Sequence, residues 1–409
     1  MKTMHDYNTV AQGLLRLTNW FGRFGLWDCG MASSMEASFE ESYEVRALLH
    51  AESALKLGRA GEVAHAFCNL TLKLQGTHYR DMYDMGYGYE KNGEGMPACS
   101  CVADCCSVAR AIIDTVRAYP DYHKNGEYIE SVGRFIQHTL DNYLTETGVV
   151  GVGILGHKVN PMPEYWCANG LFSQVLISYG DLTGDALYYD AAVPILEFLA
   201  SFDYENTEWR EWETCPQMVI LYAGEGIVEG LLSEAMKPRL NVPPKGVIAN
   251  TKNAHARETE LAQASNRVKS ETEDAKRTGA FGATVYDALQ SRWEEFAGWL
   301  YKNQSPNGLW YSLSGQNMRD YEPGLSWLIS RAGSISNTGG LLMNSVKRQL
   351  AYLTSQDAKA YFGLFCRPFP TALAHLSFAY IAETIAAQDP EGFECAMDEE
   401  QADSQNFLW

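Results

Sequence analysis

Residues 41–62, ESYEVRALLHAESALKLGRAGE, pass from a segment with apolar residues at helical spacing through a glycine-marked turn into a second helix. The same order recurs in residues 103–128, ADCCSVARAIIDTVRAYPDYHKNGEY, and in residues 164–189, EYWCANGLFSQVLISYGDLTGDALYY. Ser42, Asp104 and Trp166 hold comparable places near the starts of these helices and lie 62 residues apart each time. A repeat of this length predicts stacked helix pairs.

The repeat continues along the chain and predicts six first helices in all. Each of these is apolar on most faces, whereas the second helix of each pair is amphipathic. This pattern predicts an all-α protein, an (α/α)6 toroid with six inner helices wrapped by six outer helices. An open solenoid is the alternative, but it would need polar capping repeats at its ends. Further first helices are expected to begin near Cys215, Thr338 and Thr371.

The composition fits one large core, because 46% of the 409 residues are hydrophobic and 12% are aromatic. We therefore expect a single toroid domain over residues 1–409. Residues 237–280 differ, since they contain no Phe, Trp or Tyr and combine the proline-rich KPRLNVPPKG with a mixed-charge stretch. We expect an inserted, exposed helical arm there, which acts either as a solvated spacer or as a lid or a contact between copies in a homo-oligomer.

The charge balance excludes several classes of partner. With 51 acidic and 32 basic side chains the net charge is −19, which repels phosphate backbones and anionic lipids, so we expect neither nucleic acid nor a membrane as partner. The amino terminus carries Asp6 and no apolar signal region. We therefore expect a cytoplasmic protein whose ten cysteines are reduced thiols.

The amino ends of the inner helices are where a toroid of this kind would place its site. Because the inner helices run parallel, their amino ends open on one rim, which backbone N–H groups make electropositive. Aromatic rings beside carboxylates and arginines suit a sugar, so we expect an oligosaccharide substrate, although the same rings could simply anchor loops. Candidate substrate-binding residues are Tyr43, Arg46, His157, Trp166, Asn169, Trp212 and Arg367.

Asp104 is the main candidate for a general acid or base. It stands at a helix start among apolar residues, where partial desolvation raises a carboxyl pKa and the helix dipole opposes that shift. Asp is also a preferred N-cap, so a purely capping role is the alternative. The repeat places Glu164 and Glu213 at neighbouring rim positions, as partners for paired-carboxylate chemistry.

Cysteines gather near the same helix starts. A reactive thiol or a soft-metal site would follow if several of them converged. However, CSCVADCC lacks paired CxxC spacing, and a buried free cysteine commonly acts as a small apolar residue, so we expect no metal and no cofactor. The thiols of this alternative site are Cys105, Cys106, Cys167 and Cys215.

The repeat over about residues 1–235, with Asp104 in VADCCSVARAII, resembles the (α/α)6 glycoside hydrolases, nearest to unsaturated glucuronyl and rhamnogalacturonyl hydrolases. The resemblance implies that Asp104 is acid and base, protonating the C4=C5 double bond of an unsaturated uronic acid and activating water. The second Asp of that family would fall at Ala168 or Asn169, where no carboxylate stands.

Two other resemblances make cysteine the reacting group. Residues 213–215, ETC, and the pair Cys105 and Cys106 resemble cysteine- and zinc-dependent β-L-arabinofuranosidases, in reversed order. Residues 166–185, WCANGLFSQVLISYGDLTGD, are loosely similar to an active-site helix of linalool dehydratase-isomerase. A glycan-binding toroid without catalysis is a further possibility.

These patterns together predict a glycoside hydrolase that acts on uronic-acid-containing oligosaccharides. Asp104 would supply acid and base catalysis, with Glu213 or Glu164 as the second carboxylate. Aromatic stacking would come from Tyr43, Trp166 and Trp212, and the clamp for a substrate carboxylate from Arg46 or Arg367.

Overall fold

Helices make up nearly all of the chain that the structure describes, as the apolar periodicity predicts. The structure is a computed structural model that describes residues 4–23, 38–75, 102–150, 166–202, 204, 215–244, 284–310, 318–335 and 339–404. From the amino end of the chain, the helices are α1 Met4–Arg23, α2 Ser38–Leu55, α3 Ala60–Leu74, α4 Val102–Ala118, α5 Asn125–Asn142, α6 Trp166–Thr183, α7 Ala186–Ser201 and α8 Pro216–Leu232. They are followed by α9 Val285–Asn303, α10 Leu325–Arg331, α11 Gly339–Leu353, α12 Gln356–Phe362, α13 Pro368–Gln388 and α14 Pro390–Ser404. Shorter helical pieces are the turn Lys237–Leu240 and the 3-10 segments Met318–Gly324 and Ala332–Ser334.

One set of helices contacts its neighbours in a sequence that returns to its start. Helix α2 packs on α4, α4 on α6, and α6 on α8. Helix α8 packs on the 3-10 segment Met318–Gly324 and on α10, both of which pack on α13, and α13 packs on α2. Each member also contacts a second helix: α3, α5, α7, α9, α11 and α1, in the same order. Helix α14 packs on α1 and α13, next to the first helix of the chain.

Near-continuous apolar sequence explains why α6, α8 and α13 lie inside. Every residue of α6 from Trp166 to Gly180 is buried, so its polar side chains are enclosed together with its apolar ones. Glycines allow α6 and α8 to approach closely. A Cβ on Gly170 would stand 2.3 Å from the backbone oxygen of Tyr222, and one on Gly226 would stand 2.4 Å from the backbone oxygen of Gly170.

Two turns of the same kind follow the outer helices α5 and α9. Each turn is closed by an isolated β-bridge between residues six positions apart, Leu144 with Val150 and Gln304 with Trp310. Each also contains a glycine with positive φ, 81° at Gly148 and 99° at Gly308. The turn at residues 304–310 therefore repeats the structure of the turn at residues 144–150.

One expectation about the chain segments needs correction. Helix α11, which was expected near Thr338 as an inner helix, contacts α1, α9 and α10, and the broken segment 318–331 takes the position between α8 and α13 instead. Of the expected arm at residues 237–280 only residues 237–244 lie in the described chain, and Pro238 and residues 241–244 are exposed. Leu240 is buried, and the Arg239 guanidinium pairs with Asp190 at 2.8 Å, while residues 245–280 lie outside the described chain.

Within the described helices, none is both long enough and apolar enough to cross a bilayer.

Candidate active site

The candidate site holds side chains from α2, α4, α8, the 3-10 segment Met318–Gly324 and α13. Glu40 and Glu41 lie in the first turn of α2, and Asp104 lies in the first turn of α4. The carboxylate of Asp104 acts electrostatically on Glu40, and also on Tyr222 of α8 and on Tyr321. These residues, together with Phe369 at the start of α13, form what we call the rim site.

Aromatic rings pack edge to face across the rim site. The Phe369 ring centroid lies 5.8 Å from that of Tyr43 and 5.3 Å from that of Tyr321, and the Tyr321 and Tyr222 centroids are also 5.3 Å apart. The interplanar angles of these pairs lie between 66° and 78°, the geometry that aromatic quadrupoles favour. The rings therefore form a connected wall between α2, α8 and α13.

Two carboxyl groups of the rim site hold their protons near neutral pH. The pKa of Glu40 is raised to about 7, mainly by burial; the charge of Arg367 opposes this shift, and the charges of Asp320 and Asp104 add to it. Burial raises the pKa of Glu41 to about 8, with a further contribution from Glu40. Glu40 is thus a carboxylic acid beside an aspartate, the combination that general acid catalysis requires.

The Arg367 guanidinium is held by a carboxylate at the edge of the rim site. Its Nη1 donates to Asp320 Oδ1 at 2.5 Å, and its Nη2 donates to Asp320 Oδ2. Burial raises the pKa of Asp320 even though Arg367 acts in the opposite direction. A substrate carboxylate would therefore have to compete with Asp320 for this arginine.

Beneath the aromatic wall, the hydroxyl of Tyr43 connects the rim site to buried charges. Tyr43 donates to Glu225 Oε1 at 3.3 Å and accepts from Ser107 Oγ at 3.5 Å. Glu225 also accepts from Gln174 Nε2 at 2.8 Å and pairs with Arg46. Burial raises the pKa of Tyr43 well above 10, and the charge of Glu225 acts in the same direction. Tyr43 therefore stays a neutral donor to Glu225.

The buried charges alternate in sign between the inner helices. Arg46 lies 3.6 Å from Asp114, and Asp114 pairs with Arg110 at 2.9 Å. Arg110 then pairs with Glu229 at 3.1 Å, and Glu229 pairs with Arg331 of α10. The two arginines hold the pKa of Glu229 well below 4.5 against the effect of burial. The chain of ion pairs thus ties α2, α4, α8 and α10 together.

The structure gives several sequence-predicted residues a role in packing. Arg46 is bound to Glu225 and Asp114, so it does not extend towards a ligand. Tyr43 and Trp166 are fully buried, so neither presents an exposed ring for stacking. Asn169 holds both backbone groups of Val150, with each hydrogen bond at 2.8 Å. The remaining predicted residues His157, Glu164, Trp212 and Glu213 lie outside the described chain.

The thiols divide into two groups by position. Cys167 and Cys215 lie at the amino ends of α6 and α8, and both act electrostatically on Tyr321 of the rim site. Cys105 and Cys106 are buried at the start of α4. No group of three or more His, Cys, Asp or Glu side chains suited to a metal occurs in the described part of the chain.

Three of the residues that shape the rim site did not figure among the predicted site residues: Tyr222, Tyr321 and Phe369. Glu40 stands beside Glu41 at a helix start, which is a readable sequence signal, because carboxylates there face the helix amino end. No local pattern marks Tyr321 or Phe369, which reach the site through contacts between distant segments.

No model of a known protein family matches this chain, and no curated protein sequence matches it.

Proposed function

We propose that the chain forms an (α/α)6 toroid whose rim site is an enzyme active site. The toroid is supported by the contacts of the inner helices, which run from α2 round to α13 and back to α2. The site assignment is supported by the gathering of carboxyls, tyrosines and thiols from separate helices at one end.

The activity that we propose is glycoside hydrolysis by carboxylate acid–base catalysis. The observation that carries it is the raised pKa of Glu40, about 7, at a site where the charge of Asp104 also acts on Glu40. Glu40 donates its proton to the glycosidic oxygen as the bond to the anomeric carbon breaks. Asp104 takes a proton from the water that forms the new bond to that carbon, so both carboxyls exchange protons with solvent afterwards.

The proposed substrate is an oligosaccharide that contains a uronic acid. Tyr321, which is partly exposed, supplies apolar ring surface for sugar C–H groups, and the buried rings of Tyr222 and Phe369 pack against it. The sugar carboxylate is assigned to Arg367, which it would bind by displacing Asp320. Glu164 and Glu213 remain proposed as further carboxylates of the site.

The test is turnover of unsaturated uronic-acid oligosaccharides, which is measured as the loss of double-bond absorbance. Turnover of their saturated and neutral counterparts is measured as the release of reducing ends. Asp104→Asn should lower turnover by about 100-fold or more. Glu40→Gln should abolish the fall in activity that wild type shows as the pH rises through about 7. Asp121→Asn, at an exposed carboxyl, is the matched control. Undiminished turnover by Asp104→Asn would remove Asp104 from the mechanism.

A thiol-dependent lyase or isomerase is the second candidate. It is favoured by one observation, the electrostatic action of Cys167 and Cys215 on Tyr321, on which Asp104 also acts. A helix amino end stabilises a thiolate, so both cysteines occupy reactive positions. The test is enzymatic conversion of an unsaturated alcohol. Loss of this activity in Cys167→Ser and Cys215→Ser, with the activity kept in the control Cys68→Ser, would favour this candidate over the hydrolase. A glycan-binding toroid would retain oligosaccharides and convert none of them.

A further inference from the structure

A buried polar cluster surrounds the backbone of Trp310, next in the chain to residues of the rim site. The Trp310 N–H donates to Glu322 Oε1 at 2.8 Å, and Gln217 Nε2 donates to the Trp310 carbonyl oxygen. Gln217 and Glu322 are both fully buried. Glu322 directly follows Asp320 and Tyr321, and Gln217 lies in the first turn of α8. The cluster therefore joins the 3-10 segment Met318–Gly324 to α8.

Each of the two side chains keeps one buried oxygen without a partner. Glu322 Oε2 and Gln217 Oε1 make no hydrogen bond to any residue that the structure describes. The oxygen of an ionised carboxylate and the oxygen of an amide are both acceptors only. Two enclosed acceptors without a donor cost free energy, because water does not reach them. A proton on Glu322 would turn one of these acceptors into a donor for the other.

The matching turn at residues 144–150 shows how the two side chains are arranged. There the single amide of Asn169 binds both the N–H and the C=O of Val150, at 2.8 Å each. Both backbone groups of Val150 therefore point to the same side of the chain. Trp310 holds the same place in the turn at residues 304–310, so its N–H and C=O bring the Glu322 carboxyl next to the Gln217 amide.

The surroundings of Glu322 favour its protonated form. Burial raises the pKa of Glu322 well above 4.5, and only the Trp310 N–H acts in the opposite direction. No charged side chain of the described residues contributes to this pKa. The carboxyl is thus enclosed without a cation that could stabilise its charge.

The ionisable groups on the elements around Glu322 have other partners or are neutral. The segment Met318–Gly324 packs on α8, α10 and α13, and Gln349 of α11 donates to the Glu322 carbonyl oxygen. Lys347 and Arg348 of α11 are exposed, and burial raises the pKa values of the neighbouring tyrosines Tyr222, Tyr321 and Tyr380. The charged groups pair as follows: Asp320 with Arg367, Glu225 with Arg46, Glu229 with Arg110 and Arg331, Glu383 with His50, and His375 with Glu44, while Arg319 lies over the Tyr361 ring.

We propose that Glu322 is a positioning residue of the rim site and acts as a neutral carboxylic acid, whose Oε2–H donates to Gln217 Oε1. In this form no oxygen of the two side chains lacks a partner, and the segment Met318–Gly324 is fastened to α8 through Trp310. The fastening holds Asp320 and Tyr321 in the rim site. The effect on turnover rests on the proposed hydrolase function, whereas the protonation of Glu322 does not.

Urea denaturation of wild type and Glu322→Gln from pH 5 to pH 8 tests the protonation. Glu322→Gln replaces the O–H donor by an N–H donor and cannot ionise. Folded Glu322 keeps a proton that unfolded Glu322 loses above about pH 4.5, so the unfolding constant of wild type relative to that of Glu322→Gln should rise about tenfold per pH unit. Glu146→Gln, at an exposed carboxyl, should give a constant ratio. A constant ratio for Glu322→Gln would overturn the proposal, because an ionised carboxylate behaves in that way.

Hydrogen exchange tests the positioning role without the use of turnover. Glu322→Leu removes both hydrogen bonds of the carboxyl, so the amides of Trp310 and of residues 318–324 should exchange about tenfold faster than in wild type. Glu322→Gln should keep the wild-type exchange rates. Unchanged exchange in Glu322→Leu would overturn the positioning role. Should Glu322→Leu fail to fold, the pH series of Glu322→Gln decides the proposal.

Turnover of the uronic-acid oligosaccharides relates the cluster to the proposed function. Glu322→Leu should lower turnover about tenfold, because Asp320 and Tyr321 lose their fixed position, and Glu322→Gln should keep it. Equal turnover in wild type and Glu322→Leu would overturn the link to the rim site. Absence of turnover in wild type itself would reject the hydrolase, while the exchange rates and the pH series would still decide the role of Glu322.

Discussion

Arg46 of α2 and Glu225 of α8 form an ion pair inside the fold, with Nη1 and Oε2 3.4 Å apart and with 2% and 0% of their side chains exposed. The Arg46 guanidinium also lies 4.7 Å from the ring centroid of Trp327. A buried charge of this kind depends on its partner, because water cannot reach the site to replace the ion pair when one partner is removed.

Glu225→Ala should therefore lower the free energy of unfolding by about 3–5 kcal/mol, because it leaves Arg46 short of one buried partner. Urea denaturation monitored by circular dichroism measures the change. Glu130→Ala removes the exposed pair with Arg134 and should cost less than about 1 kcal/mol. Equal losses in the two variants would contradict the role given to the buried pair.

The close approach of α6 and α8 makes a second prediction. Gly170→Ala places a Cβ 2.3 Å from the Tyr222 backbone oxygen, so it should cost about 1–3 kcal/mol by forcing the helices apart. Gly298→Ala in α9 meets nothing within 4 Å and should stabilise the protein by about 0.5–1 kcal/mol through helix propensity. Thermal unfolding of both variants measures the contrast. A stable Gly170→Ala would show that the backbones do not meet there.

His375 and Glu44 give the stability a specific pH dependence. His375 Nδ1 lies 3.0 Å from Glu44 Oε1, and its Nε2 lies 2.9 Å from Thr18 Oγ1. Burial lowers the pKa of His375 to about 3 and raises that of Glu44 well above 4.5. In the folded state Glu44 and His375 therefore share one proton. In the unfolded state the two side chains carry two protons below pH 4.5, one proton between pH 4.5 and 6.5, and none above pH 6.5.

The contribution of this pair to stability should thus be greatest between about pH 4.5 and 6.5 and fall on either side, because the proton counts match only in that window. Subtracting the stability of the double variant Glu44→Gln, His375→Gln from that of wild type across pH 3–9 isolates this contribution. A difference that stays constant with pH would contradict the buried, singly protonated pair.

Glu41 should oppose stability at alkaline pH. The pKa of Glu41 in the folded state is about 8, above its usual 4.5, so between these pH values the folded state keeps a proton that the unfolded state loses. The contribution of Glu41 to the free energy of unfolding therefore falls as the pH rises from 4.5 through about 8. Glu41→Gln should therefore be more stable than wild type at pH 9 by about 1–3 kcal/mol, with no gain at pH 4. Glu146→Gln, at an exposed carboxyl, should show no such gain. A gain of equal size at both pH values would contradict the raised pKa.

The helix pairs could be predicted from sequence because apolar periodicity reports burial directly. The segment 318–331 could not, since Pro323 breaks it into a 3-10 piece and a helix of seven residues, too short for a periodic pattern. Helix α11 was expected inside because its sequence is apolar at its start.

The site could be predicted only in part. Asp104 was expected at a helix amino end and lies there, because the repeat fixes its register. The raised pKa of Glu40 depends on burial and on Asp320, which is 280 residues away, so no local pattern contains it. The same holds for the ion pairs between Arg110, Glu229 and Arg331, which join separate helices.

The hydrogen bonds between Asn169 and Val150 fasten the two ends of residues 151–165 to each other. Val150 also closes the β-bridge with Leu144, so the Asn169 amide ties the first turn of α6 to the turn that follows α5. An apolar residue at position 169 would leave the buried N–H and C=O of Val150 without this partner. A single side chain thus couples two consecutive helix pairs of the chain.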